Sequence, residues 1–529
     1  MGCTISPILF VMAMEVKLKA AEGSAVAEQQ IPTVSQEPVK SLGRWYDSSK
    51  KDTRRGAETL ELASESLLAI NKCGLQGKFK IWCLQFMLIP KLLWPLLVYD
   101  ICSSTVEAIE AKINKYTRKW LGVPQGLSNV AMYCRKAKLK LPMKSILEEY
   151  KCGKARLLTM LEESDDPVVK TDQPSLKTGR KWKVTEAVDE AKECFKMKEV
   201  IGQTQTDRRG LGSTTVKWWS KTKGKVKRDM IIDEIRNKED STRVQKAVQQ
   251  PQQGQWTNWH TAIQRSLTWN DIWHMAPLRT SFLIRSVYDL RPSNANLVRW
   301  GKKDDPICPL CQGRQTTEHV LSSCKVALSQ GRYTWRHNRV LQELASVIST
   351  AKGEIHPSST SSIVFITEGG VKKWHGGSIP INTHRKGLLD GCDDKVVSAD
   401  LPEWERLPDV IRKTALRADI MIHSASTQQI IMVELTVPYE SRMEEAHAFK
   451  EAKYLELTKE LKKDGYEAKL MPVEIGARRF VGSSAYDLLS KLSIGGNKRT
   501  KALRLLAETA ENSSRWIWSR RNERLLHKD

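Results

Sequence analysis

Long apolar runs are scarce in this chain of 529 residues. The most apolar stretch, 81–101, carries Gln85, Lys91 and Asp100 and is broken by Pro90 and Pro95, which favours a buried helix over a membrane span. The opening residues lack the basic region and full apolar core of a secretory signal, so export is not expected. Eleven cysteines are scattered without a framework, one cluster apart, which points to a reducing compartment and not to a disulfide scaffold. Negative charge is in short supply too: 61 acids face 85 lysines and arginines, for a net charge of +24. Such an excess favours a polyanionic partner, because basic side chains release counterions from nucleic acid; a basic soluble protein with no such partner is the plainer alternative. Also missing is the aromatic-X-Asp-Asp hairpin with which a polymerase holds two metal ions. The pairs Asp165-Asp166, Asp304-Asp305 and Asp393-Asp394 all lie in turn-like sequence, so no polymerase chemistry is expected. What the chain does have is 40% hydrophobic residues, enough for true cores in roughly two to four domains.

The tightest motif is Cys308-Pro-Leu-Cys311, followed by His319 and Cys324. Three thiolates and an imidazole at this spacing are the ligand set of a closed, tetrahedral, structural Zn²⁺ site with no position open for water. Pro309 and Gly313 suit the sharp turns, and Glu318 to Leu321 reads as the start of a helix that presents His319 to the loop.

The second constellation spans Leu416 to Leu457. Asp419 lies in Arg417-Ala-Asp-Ile-Met-Ile-His423, whose alternation reads as a strand, and Glu434 closes Ile430-Ile-Met-Val-Glu-Leu435, an apolar run of central-strand character. A carboxylate at the end of such a strand is costly unless it is paired or binds a cation. From Ser441 to Lys463 the residues Met443, Ala446, Lys450, Lys453 and Leu457 recur at steps of three and four, the spacing of one helix face. Asp419 and Glu434 are candidate ligands for Mg²⁺ or Mn²⁺, with Lys450 the first candidate for a catalytic lysine and Lys453 the second. Acidic oxygens, a hard cation that polarises phosphate and a lysine that offsets developing charge suit phosphodiester hydrolysis. An ordinary β-β-α unit with surface charges is the plainer alternative. A further strand is expected over Lys469 to Ile475, and a closing basic helix over Asn497 to Lys528.

Two other stretches point toward nucleic acid. Lys217, Trp218, Trp219, Lys221, Lys223, Lys225, Lys227 and Arg228 interleave cations with indoles that can track phosphates and stack on bases, although a solvated basic loop reads almost as well. Near the start, a glycine turn at Gly2 leads through Ser6-Pro7 into an apolar helix ending near Glu15.

Together these parts resemble the non-LTR retrotransposon polyprotein. The Gly2 to Glu15 turn and helix are similar to one element of its reverse transcriptase palm, the helical stretch from Ala57 to Leu121 to its thumb, and the CCHC knuckle with Gln330 to Asn338 to its zinc knuckle. Asp419, Glu434 and the downstream lysine are similar to its restriction-like, PD-(D/E)XK endonuclease. Ala418 stands where that family has proline, and Thr436 where the wider superfamily has its lysine. The resemblance implies a multidomain chain: palm remnant 1–30, thumb-like helices 40–160, basic polar linker 161–255, helical region with the zinc knuckle 256–345, surface loop 346–400, and α/β endonuclease 401–529. It further implies a fragment truncated within the polymerase, a metal-dependent DNA nick that primes reverse transcription, DNA and element RNA as partners, no membrane, and a nuclear, intracellular setting. The competing expectation is a non-enzymatic nucleic-acid-binding remnant with a decayed nuclease.

Overall fold

Helical periodicity dominates, and the fold is mainly helical with one small mixed sheet. The computed structural model describes residues 53–172, 176–201, 218–354, 394–401 and 416–524, with short strand pairs inside 25–46 and 366–371. The expected Gly2 to Glu15 element and Lys217 lie outside the described residues. The chain divides into two compact units, Met1–Gln250 with Ser266–Ser281, and Pro251–Arg265 with Phe282–Asp529. The cluster of Cys308, Cys311, His319 and Cys324 and the acid-lysine segment lie in the same one of these units.

The first unit is a helical assembly. Its helices include α1 (Thr53–Lys72), α2 (Gly77–Cys83), α3 (Ile89–Val98), α4 (Ser103–Leu121), α5 (Ile146–Glu162), α6 (Val184–Ile201) and α7 (Gly224–Val248). A π turn, Leu84–Leu88, joins α2 to α3, where one residue is accommodated without ending the helix. This apolar stretch, Gly77–Val98, is long and apolar enough to cross a membrane by length and composition alone. Its Ile81, Leu84, Leu88, Leu92 and Leu96 are nonetheless buried, and its Gln85 accepts a hydrogen bond from Lys144 N–H at 2.9 Å. Helix α2 begins against α4 so closely that a Cβ on Gly77 would sit 1.9 Å from the Trp120 carbonyl oxygen; only glycine allows that approach.

The stretch 161–255, expected as a polar linker, instead contributes α6 and α7 to a core with α5. The signal lies in apolar residues thinly spaced at helical intervals: Val184, Val188, Ala191 and Phe195 meet Ile231, Ile232 and Ile235. Overall polarity hid a stripe that is narrow but continuous.

The second unit is built on four strands, β1 (Val396–Ala399), β2 (Ile420–Ser424), β3 (Gln429–Thr436) and β4 (Glu467–Glu474), in the order β4-β3-β2-β1. Strand β2 runs antiparallel to both β1 and β3, and β3 runs parallel to β4. Its longer helices include α8 (Arg332–Glu354), α9 (Met443–Lys463), α10 (Ser483–Lys491) and α11 (Gly496–Ser519). Parallel neighbours need a crossover, and α9 supplies it. The expected strand at 469–475, the lysine helix and the closing helix are thus present, with shifts at their ends.

Strand β3 is apolar from Ile430 to Val433 and again at Leu435 because both its faces are covered. Its Ile431, Val433 and Leu435 join Leu341, Leu344, Leu488 and Leu506 on one side. Ile430 and Met432 meet Tyr454, Leu457 and Leu461 of α9 on the other. The expected surface loop 346–400 needs correction at both ends. Ile348 continues the buried stripe of α8 past residue 345, and Val396–Ala399 is a strand of the sheet.

Arg478 and Glu440 form an ion pair whose two side chains are fully buried. Glu440 also accepts from Arg478 N–H at 2.6 Å, and the guanidinium lies over Tyr439 and Trp259 at 3.7 and 4.2 Å. Glu440→Gln is expected to destabilise this unit by about 3–5 kcal/mol, because it leaves a buried cation uncompensated. Thermal unfolding of the variant beside the parent checks this, and an unchanged transition contradicts it.

Candidate functional site

Cys308, Cys311, His319 and Cys324 converge, with all four ligand atoms within 4.8 Å of one another. Among the described residues this is the one grouping of three or more such side chains that could hold a metal ion. The chain builds it locally. Cys308 N–H donates to Gly313 O at 2.7 Å and Gln312 N–H returns to Cys308 O at 3.1 Å. Gln312 turns the loop with φ +61°. A Cβ on Gly313 would lie 3.2 Å from His319 Cε1 and 3.5 Å from Cys311 Sγ, so a larger residue there would crowd the histidine. His319 opens a π turn, His319–Ser323, and Cys324 caps the short helix Lys325–Ser329. Burial raises the Cys324 thiol to about 11. Burial acts the same way on Cys311, but hydrogen bonds from Gly313 and the neighbouring thiols bring it below its ordinary value. Soft and borderline donors gathered this closely fit a metal such as zinc.

The acid-lysine site lies at the other end of the same structural thread. Ile420 pairs with Val433 across β2 and β3, so the next pair outward sets Asp419 opposite Glu434. Asp419 N–H donates to Glu434 Oε1 at 3.2 Å, while Asp419 Oδ2 accepts from Leu435 N–H at 2.8 Å. Glu434 is 1% exposed, and its Oε2 is ion-paired with Lys450 Nζ from α9. Tyr454, one turn further along, donates to Arg417 O at 2.6 Å. Burial, then the adjoining Glu434, pushes the Tyr454 hydroxyl well above its ordinary value. The structure thus brings together Asp419, Glu434 and Lys450. It does not bring Lys453, which is exposed with its ammonium 4.9 Å from the Tyr454 ring; a three-residue step turns it about 60° off the inward line.

His337, Glu474 and His447 escaped sequence reasoning. His337 Nε2 lies 3.3 Å from Asp419 Oδ2 and 3.1 Å from Leu435 O. Burial would lower its imidazole, but the hydrogen bond and charge of Asp419 raise it above its ordinary value. Glu474, 2% exposed at the end of β4, is 3.0 Å from His447 Nδ1 and accepts from Ser484 Oγ at 2.6 Å. Burial raises its carboxyl, against the pull of Ser484 and His447. His337 is 82 residues from Asp419, and no local spacing reports such a contact.

The stretch Gln330 to Asn338 connects the two sites. Tyr333 OH donates to His319 O and Val320 O at 3.2 and 3.0 Å and accepts from Cys324 N–H at 3.1 Å. Arg336, buried, donates to Leu321 O at 2.8 Å on the side of the cysteine cluster and to Val437 O at 2.9 Å beside β3. His337 then reaches Asp419. One helical turn and a half thus touches the cysteine cluster at one end and the acids at the other.

The basic stretch is placed differently from expectation. Trp219 is 4% exposed and stacks on Phe195 with ring centroids 4.8 Å apart, so it serves the core and not a nucleobase. Trp218 is 37% exposed. Lys227 lies over the Trp219 ring at 5.0 Å, and Arg228 pairs with Glu163 at 2.6 Å. Lys221, Lys223 and Lys225 remain exposed. Neutralising these three is expected to flatten the dependence of log K on log salt for duplex DNA by up to about 3, at about 0.9 per phosphate contact. Fluorescence anisotropy reads this, and an unaltered slope would mark the segment as a solvated helix start.

No protein-family model matches this chain, and no curated protein is significantly similar to it.

Proposed function

We propose that the chain is part of a non-LTR retrotransposon protein whose restriction-like endonuclease makes a metal-dependent nick in DNA, with no polymerase activity of its own. The observation that carries this reading is the meeting of Asp419, Glu434 and Lys450 on the sheet face beneath α9. A carboxylate 1% exposed is expensive to keep, and a fold with no use for it would place an apolar residue at that position of β3.

The donors fit a hard divalent cation. They are carboxylate oxygens, and Mg²⁺ or Mn²⁺ is commonly held by one or two carboxylates with water completing the shell. Asp419 and Glu434 would hold it, and when bound it supplies charge neutralisation at the scissile phosphate. Lys450 offsets the remaining negative charge on the phosphate oxygens from the helix side. His337 and Leu435 N–H fix one Asp419 oxygen, so the carboxylate presents the other in a constant direction. At Cys308, Cys311, His319 and Cys324 we assign structural zinc, which holds the Gln330 to Asn338 stretch against the acids. DNA and element RNA are the partners this reading requires, and the nucleus the place it requires them.

The test is conversion of supercoiled plasmid to open circles with Mg²⁺ or Mn²⁺, suppressed by EDTA. Nicks that need metal are expected. Tight DNA binding without nicks in either metal would favour the non-enzymatic remnant, with Ala418 the first position to revert to proline.

A further inference from the structure

We propose that His447 is the proton donor to the departing 3′-oxygen in the nicking step, with Glu474 and Ser484 as its positioning residues. This rests on the nuclease reading above. His447, Lys450 and Tyr454 follow one another along α9 at steps of three and four, and the buried Leu457 and Leu461 continue the same line. The inward face of this helix is therefore apolar over its second half and chemically equipped over its first. Beneath it, Glu434 pairs with Pro472 and Thr436 with Glu474 across the parallel strands. Residues two apart on a strand share a face, so Glu434 and Glu474 look toward the same helix from adjacent strands. Two acid-base pairs result, Glu434 with Lys450 and Glu474 with His447, one turn of α9 apart.

The histidine is held as a proton-transfer group is held. Its Nδ1 is 3.0 Å from Glu474 Oε1, and the other carboxylate oxygen accepts from Ser484 Oγ at 2.6 Å. Glu474 N–H returns to Ser484 Oγ at 3.3 Å, and Glu474 O accepts from Gly482 N–H at 2.9 Å. The carboxylate is therefore fixed by the first turn of α10. With Nδ1 committed to a buried acid, Nε2 is left to the open side, where the exposed Glu451 is its neighbour at 3.5 Å. A buried carboxylate that accepts from Nδ1–H aims the imidazole as general acid-base catalysis requires; the ring donates from Nε2 in its doubly protonated form, with Nε2 turned toward Glu451. The charged groups in contact with the ring are Glu474 on β4 and Glu451 on its own helix.

In the step proposed, the oxygen of a water molecule bonds to phosphorus and the bond from phosphorus to the 3′-oxygen breaks. The 3′-oxygen leaves with the proton from His447 Nε2, the attacking water releases one proton to solvent, and the imidazole recovers its proton from solvent afterwards. No redox change and no co-reactant beyond water is needed.

The experiment uses the full chain with Mg²⁺ and two duplexes, one ordinary and one carrying a bridging 3′-phosphorothiolate at the nick site mapped with the parent protein. A sulfur leaving group needs no proton. His447→Ala is expected to slow the ordinary duplex about 100-fold, within the range of general acid catalysis, and to cut the phosphorothiolate within about 3-fold of the parent rate. His447→Gln serves if the alanine variant does not fold. Glu474→Gln is expected to show the same selective loss in milder form. Separately, diethyl pyrocarbonate should modify His447 in metal-free protein, and a bound duplex should protect it, as read by mass spectrometry. Equal slowing of both duplexes, or modification that DNA does not reduce, overturns the role of His447 alone. A parent protein that cuts neither duplex overturns the nuclease reading and this step together.

Discussion

Exchanging Cys308 for Ser is expected to strip zinc from the protein and to take DNA nicking with it, although Cys308 belongs to the metal cluster and not to the acids. A closed site of four ligands exists only in the folded loop, so the free energy of binding the metal is folding free energy, about 10–16 kcal/mol for structural zinc in small domains. Here that energy is passed on through named contacts. Tyr333 ties the first turn of α8 to His319, Val320 and Cys324, and Arg336 ties it to Leu321 and Val437. The next residue, His337, reaches Asp419. Loss of the cluster frees that turn, and with it the orientation of an acid on β2. Metal analysis should find one zinc in the parent and none in the variant, with new proteolytic cuts between residues 300 and 335. A parent without zinc, or a variant that keeps it, contradicts the assignment.

The second large effect is expected at Lys450 and its partner. Glu434→Ala and Lys450→Ala should each lower the nicking rate by about 100-fold to 1000-fold, the usual cost of removing one preorganised group that meets developing charge. Lys453→Ala should lose far less, because its ammonium points along the surface over Tyr454. DNA affinity should hold or rise in Glu434→Ala, since a negative charge beside phosphate has gone. Single-turnover nicking at matched DNA occupancy separates the two lysines, and equal loss at both would remove Lys450 from the site.

The strands and helix that carry the acids and the lysine were legible because they are strongly patterned. Ile430 to Leu435 is apolar on both faces, which only a central strand requires, and Tyr454, Leu457 and Leu461 keep a helical stripe. The cysteine cluster was legible from spacing alone. Less readable were α6 and α7, whose few apolar residues are diluted by charge, and Trp219, whose neighbouring lysines suggested a nucleic-acid surface while Phe195 claims its ring. His337 and Glu474 could not be found at all from local pattern. Each acts through a partner on another element, and the parallel pairing of β3 with β4 that brings Glu474 beneath α9 is a property of topology, not of neighbouring residues.

Asp419 and Glu434 are proposed to make a divalent-metal nuclease. That role is tested most directly by the initial rate of plasmid nicking for the parent and Asp419→Asn, measured together over a Mg²⁺ titration at equal DNA occupancy. Asparagine keeps the size of the side chain and an oxygen to accept from Leu435 N–H, and removes the charge that a cation requires. The parent should nick with a rate that saturates in Mg²⁺, and Asp419→Asn should show at most about one thousandth of that rate, the scale set by losing a group preorganised for the transition state. Equal rates for the two proteins at every Mg²⁺ concentration would contradict the account.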